Sequence, residues 1–542
     1  MNKKIMYYAL SGLTATASVV LAQTDLKKPN YIVILVDDLG YTDFSCYGGV
    51  IPTPNIDKLA ERGVRMSQMY NAARSCPTRA SLLTGLYPQQ AGVGYMTGEL
   101  NENARFTGSK SYQGHLNETS VTIAEVMAEN GYFTAMAGKW HLGNHKDHTP
   151  RERGFHRSLH GRAGGFFFPE DPKAILFLDD KRIQNDDPRL PRNWYSTDLW
   201  THMGLEFINE AIASKKPFML YLAHNAPHFP LQAPESEIAK FKGKFSKGWD
   251  VLRQEIYERQ LKMNLFGKPY PLSKKNPFIP NWDDVDPQQK KISEHTMEIY
   301  AATVKIIDDN VGRLVDELKK KGVFDNTIIM ILSDNGGNAE GRTVFGTYNG
   351  EKPGQINSTV FVGQAWAEMS NTPFYLYKHH THEGGIATPC IVSYPNGIPK
   401  PMHGKVVHEP GHLIDIMATL VESSGAKYPA KYNKNTITPM QGVSLLPVWQ
   451  GKDIQRQTPI FWEHEGNVAL RNGKWKLVKE KYEETYQLYD MENDRTEMND
   501  LSLKEPLKFA EMMQQFNKMY DEIGAKPFEV KTFRWFVPVL KY

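Results

Sequence analysis

The chain has 542 residues, 40% of them hydrophobic, with 64 Lys and Arg against 61 Asp and Glu for a formal net charge of +3. This is the make-up of a globular protein large enough for one big domain and a smaller one, and so small and dispersed a charge excludes nucleic acid as the main partner. The three cysteines, Cys46, Cys76 and Cys390, are odd in number and far apart, which excludes a disulfide scaffold and a C-x-x-C metal site.

The first residues read as a leader. Lys3 and Lys4 precede a moderately apolar stretch over 9–21, and Val20-Leu21-Ala22 offers a small-residue cleavage site. Ser11, Gly12, Thr14 and Thr16 interrupt the stretch, and it is too short to span a bilayer comfortably. A signal peptide over 1–22 is therefore expected, followed by an exported protein, periplasmic or secreted. Beyond residue 23 no stretch reads as a membrane helix.

Four apolar runs rich in β-branched residues then read as buried strands, each followed at once by polar residues of catalytic type. YIVILV over 31–36 ends in Asp37 and Asp38. SCPTRASLLTG follows at 75–85, with a hydroxyl, a Pro and an Arg at the mouth of a helix whose unpaired first amides attract anions; taken alone, it is equally the start of a surface helix. YFTAMA over 132–137 precedes Lys139 and His141, and FMLYLA over 218–223 precedes His224 and His228. The segment 232–289, rich in Lys, Phe and Pro, has weak periodicity and is expected to be a surface insertion. A helix is expected over 294–320, with Tyr300, Val304, Ile307, Val311, Leu314 and Leu318 on one face. TIIMIL over 327–332 then leads into Ser333, Asp334 and Asn335.

Past about residue 440 come short strand candidates, PIFWEH, NVALRNG, WKLVKE and YQLYDM, with a turn at Asn472-Gly473, then an amphipathic run over 506–524. Alternating strands and helices make an α/β domain over 23–440. The last part, 441–542, is expected to be a small antiparallel sheet with one helix packed on it.

Open α/β sheets bind ligands outside the carboxyl ends of their strands, so these polar groups are expected in one crevice. Asp37, Asp38, Asp334 and Asn335 are hard oxygen donors, which favours Ca2+ or Mg2+ over Zn2+. Singly, Asp-Asp after a strand reads as a turn and Asp-Asn-Gly-Gly as a hairpin. His379 and His380 read as a solvated turn rather than a zinc cluster.

SCPTRASLLTG resembles the signature of the type I sulfatases: Cys or Ser, any residue, Pro, a small or polar residue, Arg, then a helical stretch ending in Thr-Gly. Ser75, Pro77, Arg79, Thr84 and Gly85 fill those slots. The strings VDDLGYTDFSCYGG and LSDNGG are also close to the family's own. The resemblance implies an alkaline-phosphatase-like fold, with a large mixed central sheet flanked by helices. In this register Ser75, not Cys76, is the residue converted to Cα-formylglycine by a sulfatase-maturing enzyme. It further implies one Ca2+, or Mg2+, held by Asp37, Asp38, Asp334, Asn335 and an oxygen at position 75. GKWHLG supplies Lys139 and His141, APHFPLQAP supplies His228 and LYKHHTHEGG supplies Lys378, matching groups that act on the sulfate and the leaving oxygen.

The implied reaction starts from the hydrated aldehyde at position 75, one oxygen of which attacks sulfur. Arg79, Lys139 and Lys378 bind the non-bridging oxygens, and His228 with Lys378 protonates the departing alcohol. His141 then takes the proton from the second hydroxyl, so that sulfate is expelled and the aldehyde returns. The run WEHEGNVALRNGKWKLV resembles the arylsulfatase-like branch, implying an exo-acting enzyme on an O-sulfated hexose such as galactose. Arg74, Arg162, His224, His382, Glu463 and His464 are the candidate sugar contacts. A formylglycine-dependent phosphonate or phosphate ester hydrolase and a catalytically silent sulfated-glycan binder are the alternatives.

Overall fold

The apolar runs form strands with both faces covered. In chain order the large sheet contains β1 (Asn30–Val36), β2 (Val64–Tyr70), β3 (Phe133–Lys139), β4 (Arg157–Gly161), β5 (Leu176–Leu178), β6 (Lys181–Ile183), β7 (Phe218–Ala223), β8 (Thr327–Ser333), β9 (Ala387–Ser393), β10 (Lys405–Val407) and β11 (Gly411–His412). Their order across the sheet is β10-β2-β9-β8-β1-β7-β3-β4-β5-β6, with β11 also paired to β2. The sheet is mixed, because β9 runs antiparallel to both β2 and β8. The central strands β8, β1, β7 and β3 are adjacent and parallel, so their carboxyl ends open on one edge. The computed structural model describes residues 28–97, 108–143, 148–161, 165–341 and 343–528; the expected leader and Arg162 lie outside the described residues.

Alternation along these strands divides the interior into two layers. Ile32, Ile34, Leu220, Leu222, Ile329 and Ile331 face one core; Tyr31, Val33, Met219, Tyr221, Ile328 and Met330 face the other. The first core is covered by the helix Pro287–Lys320, whose six expected apolar residues are all buried there. That helix starts seven residues earlier than its periodicity indicates, because Pro287 fits a first helical position and the Asp286 carboxylate accepts from the amides of Gln288 and Gln289. The second core is covered by the helices Ser75–Thr84 and Ile414–Ser424.

The expectation for 232–289 is corrected. This segment forms the helices Glu235–Ala239 and Gly248–Lys262 and sends Phe241, Phe245, Trp249, Leu252, Ile256 and Trp282 into the first core. Trp249, Trp282 and Trp366 form an aromatic cluster with ring centres 4.7–5.8 Å apart. Scattered aromatics bury as much area as a regular stripe while leaving no period to read.

The C-terminal strands β12 (Ile460–His464), β13 (Asn467–Asn472), β14 (Trp475–Lys479) and β15 (Gln487–Asp490) form an antiparallel sheet. The helix Pro506–Ile523 packs on one face through Met512, Phe516 and Ile523. From the other face, Ile460, Trp462, Ala469 and Val478 join the first core of the large sheet. All three cysteines are buried free thiols. Among the described residues no helix is long and apolar enough to cross a membrane.

Candidate functional site

The parallel strands deliver their polar followers to one edge, as expected. β1 ends at Asp37 and Asp38, β8 at Asp334 and Asn335, and β3 at Lys139, which is the last paired residue of its strand rather than a follower. All five side chains are buried. Ser75 is the first residue of its helix and 2% exposed, and the preceding Arg74 is extended and makes no side-chain cap. The Ser75 Oγ donates to Asp37 Oδ1 at 3.1 Å.

Three cations surround this point. Arg79, one turn along the helix, is fully buried; its guanidinium donates to Asp334 Oδ2 at 2.9 Å, to the Tyr221 hydroxyl at 3.2 Å and to the Lys139 carbonyl at 3.1 Å. The Lys139 Nζ donates to Asp37 Oδ2 at 2.7 Å. The Lys378 Nζ lies 2.8 Å from Asp38 Oδ1 and 3.2 Å from Glu340 Oε2. Burial opposes the charge of Lys378, yet the Asp38 and Glu340 carboxylates outweigh it and raise the ammonium above its ordinary value. Burial likewise opposes ionisation of Asp37, but Lys139, His228 and Arg79 hold its carboxyl down at about 2.

Two histidines complete the group. His228 lies 3.6 Å through Nε2 from Asp38 Oδ2, and its Nδ1 is 2.6 Å from the Phe229 carbonyl. A carbonyl only accepts, so Nδ1 carries the hydrogen of that bond. The His141 Nδ1 is buried without a hydrogen-bond partner among the described residues. Burial, then the charges of Lys139 and Arg79, push this imidazole well below its usual range and keep it neutral.

The donors suit a hard cation. Asp37, Asp38 and His228 each offer a ligand atom within 4.8 Å of the others, Asp334 Oδ1 accepts from the Asp38 amide, and the amide oxygen of Asn335 is buried with no hydrogen-bond donor among the described residues. An orphaned carbonyl oxygen among three carboxylates matches the oxygen-rich coordination of Ca2+ or Mg2+.

The sugar-contact candidates divide. Arg74 pairs with the carboxylate of Glu465 and lies 3.8 Å from Glu340. His464 is buried 3.6 Å from Glu465, and burial lowers its imidazole to about 4. Glu463 turns away, accepting from Gln89 and Tyr112 at 2.8 Å, and burial raises its carboxyl to about 7. His224 continues the Leu220 and Leu222 side of β7 toward the helix Pro287–Lys320; it is fully buried and both its ring nitrogens lack a hydrogen-bond partner among the described residues. His382 is drawn off by Glu480, 2.9 Å from its Nδ1, into a separate cavity of about 410 Å³ lined by Tyr375, His380 and Tyr482. The structure thus brings neither His224 nor His382 to Ser75. His379 and His380 are not a solvated turn, since both are buried against carboxylates.

The sequence gives no sign of Glu340, Glu465 and Asn338. Asn338 donates to Asp38 Oδ2 at 2.5 Å, and Glu465 and Glu340 flank the two ring nitrogens of His379 at 3.0 and 3.1 Å. Glu340 and Asn338 sit in an irregular loop and Glu465 in the two-residue turn between β12 and β13, where neither strand nor helix period marks a residue. Backbone strain is the sign the structure adds. Asp38, Ala73, His141, His379 and Glu465 all have positive φ, between 55° and 80°, at a cost of about 1–3 kcal/mol each.

A family model described as Sulfatase matches residues 29–426, and one described as N-sulphoglucosamine sulphohydrolase, C-terminal, matches 374–526. An arylsulfatase of Klebsiella aerogenes is 35% identical over 475 residues, covering 85% of this chain and 100% of that protein. An uncharacterized sulfatase of Schizosaccharomyces pombe is 33% identical over 537 residues, covering 93% and 95%. Among solved structures, Ps i-CgsB in complex with k-i-k-neocarrahexaose superposes with a TM-score of 0.67 at 26% identity, covering 93% of this chain and 95% of that one.

Proposed function

Because this chain belongs to the sulfatase family and hydrolyses sulfuric esters, we propose that it removes sulfate from the terminal unit of a sulfated carbohydrate, using position 75 as formylglycine. The carrying observation is the Ser75 hydroxyl on Asp37, enclosed by Arg79, Lys139 and Lys378. That arrangement suits a tetrahedral anion with a nucleophile beneath it. Carbohydrate as the substrate class is supported by the oligosaccharide bound to Ps i-CgsB, and an O-sulfated hexose such as galactose is the proposed unit. The depth of Ser75 supports action on a chain end.

Each side chain then has a defined task. Arg79 and Lys139 hold the non-bridging sulfate oxygens, and their fixed charges meet the charge that builds on the ester without reorganising. Asp37, kept ionised, orients the oxygen at position 75. Lys378 hydrogen-bonds the oxygen that leaves with the sugar. His228, with Nδ1 committed to the Phe229 carbonyl, delivers a proton to that oxygen from Nε2. His141, kept neutral, takes the proton from the second hydroxyl at position 75. A Ca2+ or Mg2+ held by Asp37, Asp38, Asp334 and Asn335 supplies Lewis acidity at this point. Oxidation of Ser75 by a maturing enzyme removes two hydrogens to give the aldehyde, and addition of water to that aldehyde supplies the second hydroxyl, which serine itself lacks. Export to the periplasm or beyond places the enzyme where such glycans occur.

Three measurements test this reading, the first two on protein from its natural host. The peptide containing position 75 is expected to weigh two hydrogens less than the serine form. Sulfated galactosides are expected to be cleaved well ahead of matched phosphate esters, and Ser75→Ala to be inactive but folded. An unmodified serine, or a preference for phosphate, would overturn it.

A further inference from the structure

We propose that Glu340 is a positioning residue that aims Lys378 at the oxygen leaving with the carbohydrate. The inference rests on the sulfatase reading above and adds a specific residue to it. Lys378 has two carboxylate neighbours. Asp38, at 2.8 Å, is also approached by the amides of Asn335 and Asn338 and belongs to the oxygen set suited to a cation. Glu340, at 3.2 Å, is the neighbour outside that set, so it remains a partner for the ammonium whatever Asp38 binds.

Glu340 acts a second time through the backbone. Its other oxygen lies 3.1 Å from His379 Nε2, and the far side of the same ring meets Glu465 at 3.0 Å. His379 has φ of 80°, a conformation that a side chain of its kind keeps only when its surroundings fix it. Those surroundings include the two carboxylates, the Ala73 carbonyl, which accepts the His379 amide at 3.0 Å, and the Asn467 side-chain amide, which donates to the His379 carbonyl at 2.8 Å. Lys378 is the preceding residue. Glu340 therefore fixes both the ammonium and the peptide from which it projects, and its approach to Arg74 at 3.8 Å ties this frame to the residue before Ser75. Its own position is set by its amide, which donates to Asn338 Oδ1 at 2.6 Å.

A role confined to folding predicts the same loss on every ester. A role in aiming Lys378 predicts a loss that grows with the need to stabilise the leaving oxygen. The test is Glu340→Gln in the full, position-75-oxidised protein, assayed on 4-nitrophenyl sulfate and on a sulfated galactoside, with the melting midpoint measured alongside. The expected result is a fall in kcat of about 10- to 100-fold on the sugar, as for loss of one charge-stabilising donor, and less than about threefold on the nitrophenyl ester. KM is expected to stay nearly unchanged on both. Glu340→Asp, which keeps the charge on a shorter arm, should show the same ordering more weakly and serves where the Gln variant folds poorly. Equal losses on the two esters, or a change in KM alone, would overturn the role of Glu340 while leaving the sulfatase reading intact. Wild-type protein that is oxidised at position 75 yet turns over neither ester would overturn both.

Discussion

Two histidines follow parallel strands of the same sheet, yet only one lies beside the cations around Ser75. His141, after β3, adopts positive φ and sits in the field of Lys139 and Arg79. His224, after β7, keeps the strand's alternation, which turns it to the opposite side among apolar residues, and burial lowers its imidazole to about 3. The sequence marks His141 by its motif string and His224 by its place after an apolar strand, but not the side each takes, because one backbone rotation decides it. A buried neutral histidine binds no proton near neutrality, whereas the unfolded chain gains one below about 6.5. His224 therefore costs the fold nothing above that value and destabilises it as pH falls toward 3, by about 2 kcal/mol at pH 5. His224→Leu is expected to keep wild-type kcat while losing about 2 kcal/mol less stability between pH 8 and pH 5, measured by urea melts at the two values. A drop in kcat would return His224 to the site.

The C-terminal sheet is attached by charge as well as by apolar area. Lys476 on β14 is fully buried, 3.0 Å from Glu383 and 2.8 Å from Glu497; Arg495 reaches Glu383 at 3.0 Å, and the Tyr70 hydroxyl donates to the same carboxylate at 2.9 Å. Burial opposes the charge on Glu383, but Lys476 and Arg495 hold its carboxyl down at about 2. Glu383 closes the segment that carries Lys378 and His379, so the small sheet braces the site. Lys476→Met would take the buried cation from Glu497 and leave Glu383 with Arg495 and Tyr70 alone, and is expected to cost about 3–5 kcal/mol in a denaturant melt. Turnover is expected to fall with it; an unchanged melt would show the sheet to be held by apolar contact alone. The four strands and the closing helix were legible in alternation and turn residues. The ion cluster was not, because its members come from distant positions whose meeting only the fold defines.

At the scale of the molecule, the strands whose ends build the site were readable as continuous apolar runs, and the motif strings located the cations that gather around Ser75. What escaped was placement: the aromatic-rich segment 232–289 packs inward, and Glu340 and Glu465 enter the site from loops. The carboxylates of Asp37, Asp38 and Asp334 meet under one sheet edge, so a cation bound there would stabilise the whole fold as well as serve the proposed chemistry. Chelation by EDTA is expected to lower both turnover and the melting midpoint, with Ca2+ restoring both and Zn2+ restoring neither; rescue by Zn2+ alone would contradict the oxygen donor set. The positive φ angles of Asp38, Ala73, His141, His379 and Glu465 have a further consequence at this scale. Glycine would relax each of these backbones, and at four of the five it would also delete a charged or ring-bearing group of the site. A library screened for heat resistance alone would drift toward those glycines, and its survivors would be better thermophiles and poorer hydrolases.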